Sequence, residues 1–518
     1  MARWHLISII VCFAFFADAQ ITFQRVYIDT IGDAQSTSIL IEPNGYFIAS
    51  HGYTKDVNSF EFRYGLKFIK TDFEGNLLWK TIYSQEGKAI SSGLFGPLEK
   101  TNDSYWLCGG IYDTATQLSN SFLCRIDTAG NVFWTDSFGV SNKSETAYHG
   151  SKIFDNGYIM IGESSIPGVT NPDYYIIKTD STGNIQWEKT YGGTDYDSGF
   201  KIHQTSDKGF IMSGGSSSYG PGEYSGWIIK TDSLGEIEWD ETYGTSGSDG
   251  LGGISLSQNG GYLLWGYLDT VVSNVNFRYA VVIIKLNEIG EVQWRTFFNH
   301  KGMHSIKQVR ELSDGSIVAI GEVQVGSADS SAAWIAKLNA GGEILWERYY
   351  LNDFYSGATW SKMASFFGDF QQTSDGGFAI AGALWKAEQS QPNARYPHVW
   401  LVKLDSLGCL ENNCGLVLSI NENQVINQFS IQSFVYPNPM KDQALVWFKG
   451  NSQQFASKNV VFSLYDLSGR IVQQHIVVLN EYAYAEFYLE KYNCASGAYI
   501  YAFMQGNKIL QKGKIIMK

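Results

Sequence analysis

Short apolar runs broken by Gly, Asn and Asp recur along most of the chain. Tyr46-Phe47-Ile48 follows Asn44-Gly45, Tyr158-Ile159-Met160 follows Asn156-Gly157, and Phe210-Ile211-Met212 follows Lys208-Gly209. Asp103-Ser104-Tyr105-Trp106, Gly260-Gly261-Tyr262, Asp314-Gly315-Ser316 and Asp375-Gly376-Gly377-Phe378 continue the series. Each reads as a tight turn followed by a short, buried strand. A second phrase alternates with the first: a basic residue, any residue, Asp or Asn, a turn with Gly, then Trp four positions after the Gly. Its copies start at Lys70, Arg125, Lys178, Lys230, Lys285 and Lys337 and end at Trp79, Trp134, Trp187, Trp239, Trp294 and Trp346. Those Trp are 52 to 55 residues apart. Such a period marks a repeat architecture whose units bury their faces only by stacking.

Four residues after each Trp stands an aromatic: Tyr83, Phe138, Tyr191, Tyr243, Phe298 and Tyr350. A seventh copy, Lys403-Leu404-Asp405 with Gly408, has Asn412 where Trp is expected. The missing strand is found at the other end of the chain, in Phe23-Gln24-Arg25-Val26-Tyr27. The pattern predicts an all-β fold: a seven-bladed β-propeller of four-stranded blades over residues 20–415, its N-terminal strand closing the last blade. Closure removes the unpaired edges that an open array would expose. The six Trp are read as blade-to-blade packing, because large flat side chains cover neighbouring sheets. The Gly-x-x-x-Trp ending resembles the tryptophan-docking repeat of quinoprotein-like propellers. The turn before it differs by one residue, so the resemblance concerns blade packing and implies no quinone site. The unit as a whole looks like the secreted repeat propellers attached to bacterial export domains.

A polar stretch over residues 416–432 reads as a linker. After it, strand signals at Ala444–Phe448, Val460–Tyr465, Ile471–Val478, Ala483–Leu489, Ala498–Phe503 and Lys508–Met517 predict a small β-sandwich over residues 433–518. Tyr436-Pro437-Asn438-Pro439, the Leu464–Arg470 stretch with Gly469, Ser496-Gly497-Ala498-Tyr499 and the terminal Lys512–Lys518 stretch with Lys514 closely resemble the type A C-terminal sorting domain of the type IX secretion system. The resemblance implies recognition by that machinery at the outer membrane, and cargo released or fixed at the cell surface. Arg3, the apolar Leu6–Phe16 run and Ala17-Asp18-Ala19 read as a cleavable secretory signal over residues 1–19. The run is too short to span a bilayer, and no later segment is long and apolar enough to do so. The expected address is therefore secreted or outer-surface.

The formal net charge of −13 argues against a nucleic-acid partner. The sandwich segment carries nine Lys or Arg against five Asp or Glu, so the rest of the chain carries −13 − 4 = −17. Outside the cytoplasm disulfides are allowed, and a bridge between Cys409 and Cys414 could close a tight loop. Cys108 and Cys124 either pair or are buried thiols, and Cys494 is left over. No metal pattern or nucleophile constellation is evident, and no cofactor is expected. Calcium at Asp195-Tyr196-Asp197 is an open alternative, although two carboxylates are few for that ion.

The connections divide into two sets. Turns between first and second, and between third and fourth, strands are short. Those at the opposite end are long, varied and rich in aromatics, and binding residues concentrate on such loops over rigid scaffolds. Trp360, Trp385, Tyr355, Tyr396 and Tyr224 are the candidate ligand-binding residues, suited to a glycan or protein. The expected function is a secreted or surface-displayed binding protein. A carbohydrate hydrolase or lyase on the same scaffold, and a structural envelope or matrix component, are the alternatives.

Overall fold

The computed structural model describes residues 22–27, 35–55, 62–93, 98–101, 103–166, 171–269, 279–298, 303–324, 331–350, 365–388, 391–410, 432–436, 443–449, 458–480, 484–491, 494–506 and 508–517. The fold is all-β, built mainly of four-stranded antiparallel sheets. The expected signal segment and residues 411–431 lie outside the described residues.

Among the described residues, seven sheets lie between residues 23 and 404. In chain order, sheets 1 to 6 span 35–83, 88–138, 144–191, 197–243, 250–298 and 303–350. Sheet 7 takes three strands from 365–404 and its fourth from Phe23–Tyr27, which pairs antiparallel with the third strand from Phe23↔Lys403 to Tyr27↔Val399. Sheet 2 departs from the expected four strands. Its innermost strand is split into Lys88–Ser92 and Glu99–Lys100, both pairing with Ser104–Asp113.

Burial explains the sequence pattern. The second and third strands of a sheet, such as Phe210–Ser216 and Ser225–Thr231, are buried along their whole length. Fourth strands such as Ile185–Tyr191 are largely exposed, with Trp187 half-buried among exposed neighbours. A strand covered on both faces reads as a continuous apolar run, whereas one on the rim alternates. Among the described residues, seven apolar clusters fill the spaces between sheets, each shared by two neighbouring sheets. One of them joins Ala379, Ala381, Val399 and Leu401 of sheet 7 to Ile39, Tyr46, Ile48 and Ile69 of sheet 1.

The first strands carry register shifts at equivalent places, between Ala147 and His149, Gly199 and Lys201, Ile306 and Gln308, and Phe367 and Asp369. Such bulges re-aim side chains and increase local twist.

The C-terminal segment forms one sheet of Gln432–Tyr436, Gln443–Lys449 and Tyr484–Glu490, and another ordered Ile471–Val478, Asn459–Tyr465, Gly497–Gln505, Lys508–Met517. Val446, Phe448, Leu489, Phe462, Phe503 and Ile515 belong to one core drawn from both sheets. Tyr436 ends a strand, Gly469 sits in a turn at φ +83°, and Lys514 pairs with Ile500. Pro437, Asn438 and Pro439 lie outside the described residues. Among the described residues, no helix is long and apolar enough to cross a membrane.

Candidate functional site

The two repeated phrases form one short-turn end. In the third-to-fourth turns, one side-chain oxygen of Asp72, Asp127, Asp180, Asp232, Asn287, Asn339 or Asp405 accepts backbone N–H bonds from the residues two and four positions on. The Gly three positions on takes a left-handed φ of +71° to +95°, which a side chain would strain. The basic residue that starts the phrase turns back onto the other phrase. Lys178 reaches Asp155 at 2.7 Å, Lys230 reaches Asp207 at 2.8 Å and Lys403 reaches Asp375 at 2.9 Å. Where sheets 1 and 5 lack that Asp, Lys70 lies 4.0 Å from Glu42 and Lys285 lies 3.4 Å from Glu311.

The Trp reach between sheets. A methyl group built on Gly130 would fall 2.3 Å from the ring of Trp79 in the preceding sheet. Trp134 lies over Gly183, Trp239 over Gly290, Trp294 over Gly342 and Trp346 over Gly408 in the same way. Gly235 departs from the series, with Lys189 and Tyr191 as its near neighbours, while Trp187 meets Phe210 of the next sheet edge-on at 5.8 Å. Phe23 takes the Trp position over Gly75. The aromatic hydroxyl four residues on often completes the clasp: Tyr27 donates to the Gly75 carbonyl at 2.9 Å, and Tyr191, Tyr243 and Tyr350 donate to Gly235, Gly290 and Gly408.

The bulged first strands bring together polar groups that sequence reading did not single out. Lys201 of sheet 4, 1% exposed, donates to Gln308 Oε1 of sheet 6 at 2.6 Å and lies over the Trp265 ring at 4.9 Å. Arg310 pairs with Asp369 of sheet 7 at 2.8 Å, and Asp369 accepts from the Ile39 amide of sheet 1 at 3.1 Å. His149 and His203 meet edge to face at 5.1 Å. Burial, with Arg310 nearby, pushes the Lys201 ammonium down to about 7. Burial and then Lys201 hold His203 down at about 3. These groups satisfy one another, which is what burial of charge requires.

The long-loop end is chemically different. Among the described residues of sheets 1 to 7, the exposed Tyr and Trp are Tyr53, Tyr112, Tyr196, Tyr219, Tyr279 and Trp385, and all lie there. Trp385, on the second strand of sheet 7, is 36% exposed and opposes Pro397. Tyr224 is half-buried, its ring 6.1 Å from that of Tyr196. Trp360 and Tyr355 lie outside the described residues, as does the side chain of Tyr396.

Sequence reading missed Glu163, at the end of the second strand of sheet 3. Its carboxylate accepts from Ser198 Oγ at 2.9 Å and Tyr196 Oη at 3.3 Å, and it also hydrogen-bonds Tyr148. Asp197 ties its own loop, accepting from the Gly193 amide and Ser218 Oγ through Oδ2. Burial, then the charge of Asp197, raises the carboxyl of Asp173 beside it. No group of three or more His, Cys, Asp or Glu that could hold a metal occurs among the described residues.

Cys409 is disulfide-bonded, and its expected partner Cys414 lies outside the described residues. Cys108 and Cys124 are buried free thiols, and burial raises both well above the ordinary thiol range.

No curated protein matches this chain. Among solved structures, Pyrococcus horikoshii acylaminoacyl peptidase aligns over 81% of this chain at 9% identity and a TM-score of 0.40. This chain spans only 58% of that peptidase. The β-propeller domain of the Trilobed protease from Pyrococcus furiosus aligns over 71% of this chain and 94% of its own length, at 9% identity and a TM-score of 0.33. Likeness at that level carries no function across. Residues 434–518 match the family described as the secretion system C-terminal sorting domain, and the protein is exported by type IX secretion to the cell surface or the extracellular space.

Proposed function

We propose that the exported cargo is a seven-bladed β-propeller, residues 20–415, that recognises a glycan or a protein through its long-loop face. The N-terminal strand closes the last blade, the six Trp dock each blade on the next, and a Cys409–Cys414 bridge tightens the last turn. A signal over residues 1–19 and a linker over 416–432 complete the plan. The ring of shared apolar clusters and the pairing of Phe23–Tyr27 with sheet 7 support the architecture.

One observation carries the binding reading. Among the described residues of sheets 1 to 7, exposed Tyr and Trp lie at the long-loop end, while the short-turn end repeats one self-satisfied Asx turn. Rigid amphipathic rings at an exposed surface favour recognition, since they contribute large contact area at low entropic cost. Trp360, Trp385, Tyr355, Tyr396 and Tyr224 are the residues proposed to contact the ligand. The experiment is a titration of the mature chain against soluble polysaccharides and matrix glycoproteins, with product release followed in the same mixtures. Saturable binding without product is expected. Turnover, or no binding to any member, counts against the reading.

A further inference from the structure

We propose that the long-loop end of sheets 3 and 4 holds a cage for an organic cation, the ammonium of a lysine side chain on a basic protein partner. The inference rests on the reading of the long-loop face as a binding surface, and it names one subsite and its ligand chemistry.

The parts come from four strands. Tyr148 stands at the bulge of the first strand of sheet 3, and Glu163 near the end of its second strand. Tyr196 and Ser198 flank the start of the first strand of sheet 4, and Tyr224 precedes its third strand. Glu163 accepts from Ser198 and Tyr196 and interacts with all three tyrosines. The Tyr196 and Tyr224 rings are tilted by 54° at 6.1 Å, and Tyr196 is 38% exposed. The Tyr224 ring is seated over Gly215, where a Cβ would fall 2.0 Å from its hydroxyl oxygen. A carboxylate tied to tyrosine hydroxyls, beside a ring that is itself exposed, offers an ammonium both a counter-charge and an aromatic face.

Two further observations set the sign of the ligand. Asp197 is fully buried, and its Oδ1 accepts no hydrogen bond from the described residues. Burial, and after it the charge of Asp197, raises the carboxyl of Asp173 beside it, and Lys143 partly offsets that repulsion. The local field is therefore short of positive charge, and the chain outside the sandwich carries an excess of seventeen acidic groups by the counts above. A metal ion would need about six to eight oxygen ligands, and no group of three acidic or His side chains offers a start among the described residues.

The experiment uses the mature full-length chain and calorimetric titration with hexalysine, its Nε-acetylated counterpart and a neutral oligosaccharide. Hexalysine is expected to bind, and the acetylated peptide is not. Glu163→Gln and Tyr196→Leu, each checked for an unchanged thermal transition, should weaken hexalysine about tenfold or more, the loss of one good cation contact. Leu234→Ser, at the exposed short-turn end, should leave it unchanged. No hexalysine binding, equal binding of the acetylated peptide, or affinity indifferent to Glu163→Gln overturns the cage. Oligosaccharide binding lost in Trp385→Ala, with no hexalysine binding, overturns the cage while leaving the long-loop reading standing.

Discussion

Lys230 Nζ lies 2.8 Å from the carboxylate of Asp207, joining the two phrases that repeat along the chain. The lysine side chain is 5% exposed and also meets Glu238 at 2.7 Å. Burial disfavours its charge, but the bonds to Asp207 and Glu238 outweigh it and raise the ammonium above its usual range. Burial likewise opposes the charge of Asp207, yet Lys230, Thr205 and the Gly209 amide hold it at about 2. A depressed carboxyl stabilises the fold above its unfolded value near 4, and that contribution is lost as pH falls toward 2. Asp207→Asn should cost about 0.5–1 kcal/mol at neutral pH, the size of a solvent-screened pair. Its deficit should vanish in chemical denaturation measured near pH 2. A deficit independent of pH would mean that the charge is not what Asp207 contributes.

Gly183 tests the inter-sheet clasp. Its φ is +95°, and a Cβ there would fall 2.6 Å from the Trp134 ring of sheet 2. Gly183→Ala should cost about 2–3 kcal/mol from backbone strain and displacement of the ring. Trp134→Ala should cost about 3 kcal/mol as a cavity between sheets. The double variant should cost less than the sum, because the alanine methyl no longer meets a ring. Additive costs in denaturant titrations would show that the two residues do not meet.

These two sites show what the sequence made legible. Asp, Gly and Trp are bound within one turn and one strand, so their spacing survives as a phrase. The strands of the sandwich were readable for the same reason: Ile471–Val478 and Lys508–Met517 match the reading to the residue. The Lys230–Asp207 pair was not read, because Lys230 lies at the end of a third strand and Asp207 sits in a turn, and only the sheet brings them together. The inner bulges that gather Lys201, Gln308 and Asp369 are backbone irregularities without a local signature. Glu163 carries no motif of its own in the sequence. Its meaning depends on tyrosines from another sheet, and the crowd of Tyr in the neighbouring loops was the available signal.

Lys201 predicts a pH dependence of the opposite kind. Its ammonium is pushed down to about 7 by burial among Arg310, Asp369, Gln308, His149 and His203. The unfolded chain then binds more protons between about pH 7 and 10, so this group costs stability below pH 7 and the cost is relieved as pH rises. Lys201→Met should gain on the parent protein at pH 6, with the advantage shrinking by pH 9.5. Paired thermal melts across that range measure it, and a constant difference would contradict the assignment.

Passage across the outer membrane should depend on the C-terminal sandwich. Deleting residues 434–518 should remove the protein from the cell surface and medium and leave it in the periplasm, read by fractionation and immunoblotting. Asp466→Ala should weaken the turn in which its Oδ1 accepts from the Ser468 and Arg470 amides at 3.0 Å each. It should lower export in proportion to the loss of folded sandwich. Undiminished export of the truncated chain would contradict this.

The most direct test of the whole account compares the two ends of the repeat. With a ligand identified by titration, dissociation constants would be measured for Trp385→Ala and Tyr219→Ala at the long-loop end and for Leu234→Ser and Ile289→Ser at the short-turn end. All four side chains are exposed. The account predicts about tenfold weaker binding for at least one long-loop variant, the loss of one aromatic anchor, and unchanged binding for both short-turn variants. Loss of binding confined to the short-turn variants would contradict it.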